Sequence, residues 1–109
     1  MAVTTVASGT QTATIGVLHT IATETSANVY CFYVDMHNMA LGDVTELFAY
    51  VQTLSSGTPR IVYNAVYAQP QQEPIKISIP LPSDYEIRFR LRQQEGTGRN
   101  YDWAVKTLQ

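Results

Sequence analysis

Residues 85–92 alternate strictly between large apolar and charged side chains. The apolar set is Tyr85, Ile87, Phe89 and Leu91, and the charged set is Glu86, Arg88, Arg90 and Arg92. Successive side chains of a β-strand point to opposite faces of a sheet, so this alternation predicts a strand with one face on a core and one face outward. An antiparallel sheet with one solvated face needs a second layer over its apolar side. The stretch therefore predicts a two-layered β domain.

Turn signals divide the rest of the chain into further strands of similar length. The segment Val29–Asp35 is apolar almost throughout, as in a central strand that is buried on both faces. Gly-, Pro- and Asx-rich segments recur at intervals typical of sandwiches and barrels, and no long helical period is present. We therefore predict an all-β fold, an antiparallel β-sandwich or jelly-roll-like barrel of about seven to eight strands. The other predicted strands cover residues 14–25, 44–53, 60–68, 75–79 and 101–108.

The length of 109 residues is suited to one domain with its own core. We predict a single β domain over residues 14–109. Residues 1–13 are small, uncharged and rich in Thr, and we predict a flexible N-terminal arm there. Two interpretations of this arm stay open: a frayed terminus, or a segment that becomes ordered by strand addition on a neighbouring subunit.

The negative overall charge argues against a nucleic-acid partner, because it would repel the phosphate backbone. The formal net charge is −2 and the isoelectric point is near 5.5, whereas proteins that bind nucleic acid by charge are basic. A single cysteine, Cys31, allows no intrachain disulfide, and its apolar strand setting predicts a buried thiol. The N-terminus lacks the basic and apolar segments of a signal peptide or membrane span, so we expect synthesis in the cytoplasm and no membrane partner.

No catalytic, cofactor or metal motif emerges from the chain. The only histidines are His19 and His37, and Asp35 is the nearest carboxylate to His37, which is too few ligands for a zinc site. The segment Gly96–Arg99 resembles a phosphate-binding loop only superficially, because it lacks the GK[ST] ending and joins two predicted strands. We therefore expect a non-enzymatic protein with no cofactor and no metal.

A protein interface is the functional feature that the sequence favours. Arg88, Arg90 and Arg92 project from one strand face, either as a solvated exterior balanced by acidic neighbours or as a basic stripe that docks an acidic protein surface. Phe48 and Tyr50 fall on the outward face of another predicted strand, where aromatic side chains can anchor a contact. Arg99, in the last loop, can either contact a partner or cap that loop. The candidate interface residues are Phe48, Tyr50, Arg88, Arg90, Arg92 and Arg99.

The chain resembles small virion structural proteins of tailed bacteriophages, of the capsid decoration or cement type. The likeness covers about residues 15–108 and depends on several short segments, none diagnostic alone. They are Val34-Asp35, Asn38-Met39, Gly42-Asp43, Glu46-Leu47, Leu54-Ser55-Ser56-Gly57-Thr58, Tyr63-Asn64-Ala65-Val66-Tyr67, Pro74, and Gly96-Thr97-Gly98-Arg99 before Trp103.

This resemblance implies a compact β domain on the capsid exterior that bridges or stabilises subunits of the major capsid protein. It also implies a homo-oligomer, commonly a trimer, and a virion location, with no catalytic residues to transfer. Two alternatives stay open: a tail or baseplate component, and a carbohydrate-binding β-sandwich. In the second, Tyr101 and Trp103 would form a stacking platform, although their alternation with Val105 favours a core position.

Overall fold

The computed structural model describes residues 2–108 and confirms the all-β prediction. These residues contain no helix of the length and apolarity needed to cross a bilayer. These residues form nine strands, two more than the seven segments predicted, because residues 3–12 form an additional strand and a second short strand follows Pro80. They are β1 Val3–Thr12, β2 His19–Glu24, β3 Asn28–Asp35, β4 Val44–Val51, β5 Arg60–Ala68, β6 Ile75–Ile77, β7 Leu81–Ser83, β8 Ile87–Glu95 and β9 Asn100–Leu108.

The strands form two antiparallel sheets with a jelly-roll strand order. Sheet A has the order β1-β9-β3-β6, with β7 also paired to β3, and sheet B has the order β2-β8-β4-β5. The pairs β1–β9, β2–β8, β3–β6/β7 and β4–β5 are nested, like the rungs of one long hairpin whose tip is the β4–β5 connection. When that hairpin is rolled up, β3 also pairs with β9 and β4 also pairs with β8. The pairs β1–β9 and β3–β6/β7 then belong to sheet A, and the pairs β2–β8 and β4–β5 belong to sheet B.

The core lies between the sheets and contains three of the four apolar residues predicted to face it from residues 85–92, whereas Tyr85 lies in a bend before β8 and is exposed. Ile87, Phe89 and Leu91 of β8 all point inward and are fully buried. The Phe89 ring lies 5.0 Å from that of Phe32 and 6.4 Å from that of Tyr30, both on β3 in the facing sheet. These inter-sheet aromatic contacts fix the arginines of β8 on the opposite, outward face.

The N-terminal segment differs from the flexible arm that the sequence predicts. Val3–Thr12 forms strand β1 and pairs antiparallel with β9 of its own chain, from Val3 opposite Leu108 to Thr12 opposite Asn100. Without β1, one edge of β9 would be unpaired. Gly9 allows the Trp103 ring to lie against the β1 backbone, because a Cβ atom at position 9 would be only 3.2 Å from Trp103 Cζ2. Met1 lies outside the described residues.

The isoleucines near β6 face solvent. Ile75, Ile77 and Ile79 are each more than half exposed, whereas the intervening Ser78 is buried and Lys76 is half-buried. The Ser78 hydroxyl accepts a hydrogen bond from the backbone N–H of Phe32 at 2.9 Å, and the Lys76 ammonium lies 4.8 Å from the centre of the Tyr67 ring. These two polar contacts direct the even-numbered side chains inward and leave the apolar ones outside.

We expect the substitution Phe89→Ala to lower the free energy of unfolding by about 3–5 kcal/mol, because it opens a cavity at the centre of the inter-sheet contact. The matched control is Ile79→Ala, at an exposed position, which we expect to change that energy by less than about 0.5 kcal/mol. Urea denaturation followed by tyrosine and tryptophan fluorescence measures both. Equal losses for the two variants would contradict the assigned inward and outward faces.

Candidate functional site

The outward side of sheet B gathers five of the six candidate interface residues. Strands β4 and β8 are neighbours, so Phe48 lies opposite Arg90 and Tyr50 lies opposite Arg88. The next pair in the same register is Glu46 with Arg92. We call this surface the Arg face and define it by Glu46, Phe48, Tyr50, Arg88, Arg90 and Arg92.

Two arginines of the Arg face cover the two aromatic rings diagonally. The guanidinium carbon of Arg92 lies 5.5 Å from the centre of the Phe48 ring, and that of Arg90 lies 4.9 Å from the centre of the Tyr50 ring. The two rings are themselves stacked, with centroids 6.1 Å apart. Only 6% of Phe48 is exposed as a result. The predicted open aromatic anchor at Phe48 is therefore covered from within the chain, and Tyr50 is the more accessible ring.

Glu46 neutralises one end of the Arg face. Its carboxylate accepts hydrogen bonds from Arg92 Nη2 at 2.8 Å, from Asn64 Nδ2 at 2.7 Å and from the Gln94 amide. Burial by itself would raise the pKa of this carboxyl, but the three hydrogen bonds and the charge of Arg92 outweigh burial and hold the pKa below its ordinary value. Glu46 is therefore ionised at neutral pH, and it forms an ion pair with Arg92.

Arg90 is the cation of the Arg face that keeps its hydrogen-bonding capacity. Arg88 forms an ion pair with Glu86, and Arg92 forms one with Glu46. Within residues 2–108 Arg90 forms no ion pair, and its Nε, like that of Arg92, is enclosed without a hydrogen-bond partner. Its guanidinium carbon lies 4.9 Å from the centre of the Tyr50 ring, and the guanidinium has donors left for a carboxylate.

Arg99 lies away from the Arg face and holds the β8–β9 loop. Its Nε donates to Asp43 Oδ2 at 2.8 Å, and Asp43 is fully buried. Asp43 also accepts the backbone N–H groups of Ala40 and Thr97. Gly96 has a positive φ of 96°, and a Cβ atom there would lie 2.0 Å from Asp43 Oδ1, so only glycine fits. Arg99 thus caps its loop, which is one of the two predicted roles, and its contact with a partner stays a prediction.

The Asp43–Arg99 pair is the feature that sequence reasoning missed. Asp43 has the local context of a turn residue, and its partner lies 56 residues further along the chain. Burial alone would raise the pKa of the Asp43 carboxyl, but the hydrogen bonds from Arg99, Ala40 and Thr97 and the charge of Arg99 hold the pKa below its ordinary value. In this region the sequence indicated only a turn, through Gly96.

The residues considered for metal or nucleophilic chemistry are scattered. Within residues 2–108, no group of three or more His, Cys, Asp or Glu side chains is placed to hold a metal ion. His37 Nδ1 lies 2.9 Å from Asp35 Oδ1 in a turn, and His19 Nδ1 contacts the Gln11 amide at 3.2 Å. Cys31 is buried, as predicted, and burial raises the pKa of its thiol.

The one concavity that stands out on sheet A is shallow and lies on its outward side. It has a volume of about 210 Å³, and Tyr33, Ile75, Trp103 and Lys106 contribute to its lining. Trp103 packs against the core on its other side, and Tyr101 is fully buried. Tyr101 is therefore not accessible to a sugar ring, and Trp103 is half-buried.

Comparison with known proteins supports the fold and little beyond it. No protein-family model and no curated protein sequence matches the chain. Its fold is similar to part of a solved viral capsid structure, the VP2 subviral particle of infectious bursal disease virus, with a TM-score of 0.52 and 12% sequence identity. The match covers 96% of this chain and 31% of VP2. At this identity the likeness concerns the jelly-roll sandwich alone.

We expect Asp43→Asn to lower the free energy of unfolding at pH 7 by about 3 kcal/mol, because the buried pair with Arg99 is broken. The pKa of Asp43 is depressed in the folded state, so its contribution is present above the unfolded value near roughly pH 4 and is lost as the pH falls through the folded value. The difference in the free energy of unfolding between wild type and Asp43→Asn should therefore be largest at neutral pH and narrow from roughly pH 5 downwards.

Urea denaturation across that pH range measures the narrowing. The control is Asp84→Asn, at an exposed bend, for which we expect little change at any pH. A pH-independent difference for Asp43→Asn would mean that the carboxyl contributes by shape and not by charge.

We expect Arg92→Gln to destabilise the protein more than Arg90→Gln. Loss of Arg92 removes the charged donor of the nearly buried Glu46, which should cost about 1–2 kcal/mol after allowance for solvent screening at a side chain that is 36% exposed. Loss of Arg90 removes only its stacking on Tyr50, worth less than about 1 kcal/mol. Thermal denaturation of the two variants gives the comparison, and the reverse order would contradict the assignment of Arg90 as the unoccupied cation.

Proposed function

We propose that the protein is a non-enzymatic virion structural protein. It binds the outside of a bacteriophage capsid and bridges or stabilises subunits of the major capsid protein. The resemblance of short segments to decoration proteins supports this function, and so does a jelly-roll fold, which viral capsid proteins share with lectins and cupins. The Arg face is the surface proposed to meet the capsid.

The observation that carries the proposal is the state of Arg90. A cation that is already held in place over Tyr50, with its Nε shielded from water, loses little side-chain entropy when a carboxylate approaches. The planar guanidinium donates two parallel hydrogen bonds to such a group, so the expected contact on the capsid subunit is an Asp or Glu side chain. Arg88 and Tyr50 flank that contact and set orientation more than affinity.

A tail or baseplate location is the second candidate, because the same chemistry would serve any acidic virion surface. Labelling of the protein on whole particles, seen by negative-stain microscopy, distinguishes head from tail.

The carbohydrate-binding alternative has weaker support, since Tyr101 is buried and Trp103 packs on the core. Self-association remains part of the proposal, with the trimer as the number that the resemblance implies.

We expect the purified protein to co-sediment with phage heads and Arg90→Glu to reduce the bound fraction at least about tenfold, as expected when a desolvated charge pair is replaced by like charges. The matched control is Lys106→Glu. Lys106 also lies over a tyrosine ring, 4.7 Å from the centre of Tyr33, but on sheet A. It reverses the same charge on the other side of the sandwich and should leave binding unchanged.

Absence of co-sedimentation with heads would contradict the capsid proposal. Binding that responds to Lys106→Glu and not to Arg90→Glu would place the contact on sheet A. Folding of both variants is checked by their thermal denaturation before the binding measurement.

A further inference from the structure

Strand β5 is an edge of sheet B whose outer side has no backbone partner among residues 2–108. It pairs with β4 along one side, from Arg60 opposite Val51 to Ala68 opposite Val44. An edge strand presents unpaired N–H and C=O groups that can accept another strand. Natural proteins usually protect such edges with charge, proline, shortness or a bulge.

The remaining edges are protected to a greater degree. Strands β6 and β7 have three residues each, and Pro74 and Pro80 flank β6. Strand β2 carries His19 and Glu24, and its register shifts near Ile21. Strand β1 is long and uncharged, but its register also shifts between Thr5 and Ala7, and most of its side chains are small.

Strand β5 has nine residues, and its single charge, Arg60, is at its beginning. Three of its exposed side chains are large and apolar: Ile61 is 55% exposed, Val62 is 45% exposed and Val66 is 54% exposed. The register with β4 shifts at Val62, which leaves residues 63–68 as the regular part of the edge. An uncharged apolar edge of this length is a template for strand addition.

We propose that β5 pairs with β5 of a second copy of this chain. The two strands run antiparallel about a two-fold axis at Ala65, so that Tyr63 of each copy lies opposite Tyr67 of the other. Asn64 then lies opposite Val66, and Ala65 lies opposite itself. The two four-stranded halves form one continuous eight-stranded sheet.

The sequence of β5 favours a second copy over an unrelated strand. In the proposed register a tyrosine of one copy faces a tyrosine of the other at positions 63 and 67, and the facing pair Asn64 and Val66 is uncharged. No charged residue falls opposite another along the regular part, so the pair contains no like-charge repulsion. A symmetric contact of this type uses the same patch on both copies and closes at two. The inference is independent of the capsid function and differs from the trimer that the resemblance implies.

The test is the molar mass of the wild-type protein by analytical ultracentrifugation over a dilution series. We expect two chains at high concentration and dissociation to one on dilution. Val66→Lys places like charges near the axis and should give a single chain throughout. The matched control, Ile75→Lys, alters a side chain that is 52% exposed, compared with 54% for Val66, but lies on the other sheet; it should leave the dimer intact.

Hydrogen exchange of the β5 amides supplies the second measurement, at high and low concentration. Concentration-dependent protection confined to β5 supports the pairing. A wild-type protein that stays a single chain, or that forms trimers or open polymers, overturns the inference. So does a dimer that Ile75→Lys disrupts and Val66→Lys leaves intact, provided that thermal denaturation shows both variants to be folded.

Discussion

The contact of Phe89 with Phe32 and Tyr30 joins the two sheets, and the rest of the structure depends on it. Once Phe89 points into the sandwich, the two-residue period of β8 requires Arg88 and Arg90 to point out. A shift of the strand register by one residue would bury the arginines, and the free-energy cost of burying them would far exceed the stabilisation from any surface contact. The aromatic core and the arginine surface are therefore one property of one strand, seen from its two sides.

Much of the fold could be predicted from local patterns. A segment in which apolar and polar residues alternate indicates both that it is a strand and which of its faces packs on the core. The alternation of residues 85–92 and the apolar run of β3 were sufficient for a sandwich. The positions of Ile75, Ile77 and Ile79 were not predictable in this way, since polar contacts of Ser78 and Lys76 decide which side of that edge faces inward. The pairing of β1 with β9 was equally hidden, because it joins opposite ends of the chain.

The candidate site shows the same division between local and distant information. Sequence placed Phe48, Tyr50 and the arginines of β8 on outward faces, and the structure brings them together because β4 and β8 are adjacent. It allowed acidic neighbours for the arginines of β8, but it did not identify Glu46 as the partner of Arg92 or Asp43 as the partner of Arg99. Charge pairing across the sheet thus selects Arg90, which no single segment of the sequence distinguishes from its neighbours.

The nested pairing also sets the order in which the domain can assemble. The β4–β5 hairpin closes over the short connection of residues 52–59, whereas the β1–β9 pair unites the two extremities of the polypeptide. Loop-closure entropy favours the short connection first and makes each outer rung conditional on the one inside it. We therefore expect the N-terminal strand to pair last, so that β9 keeps an open edge, a surface prone to wrong association, until it does.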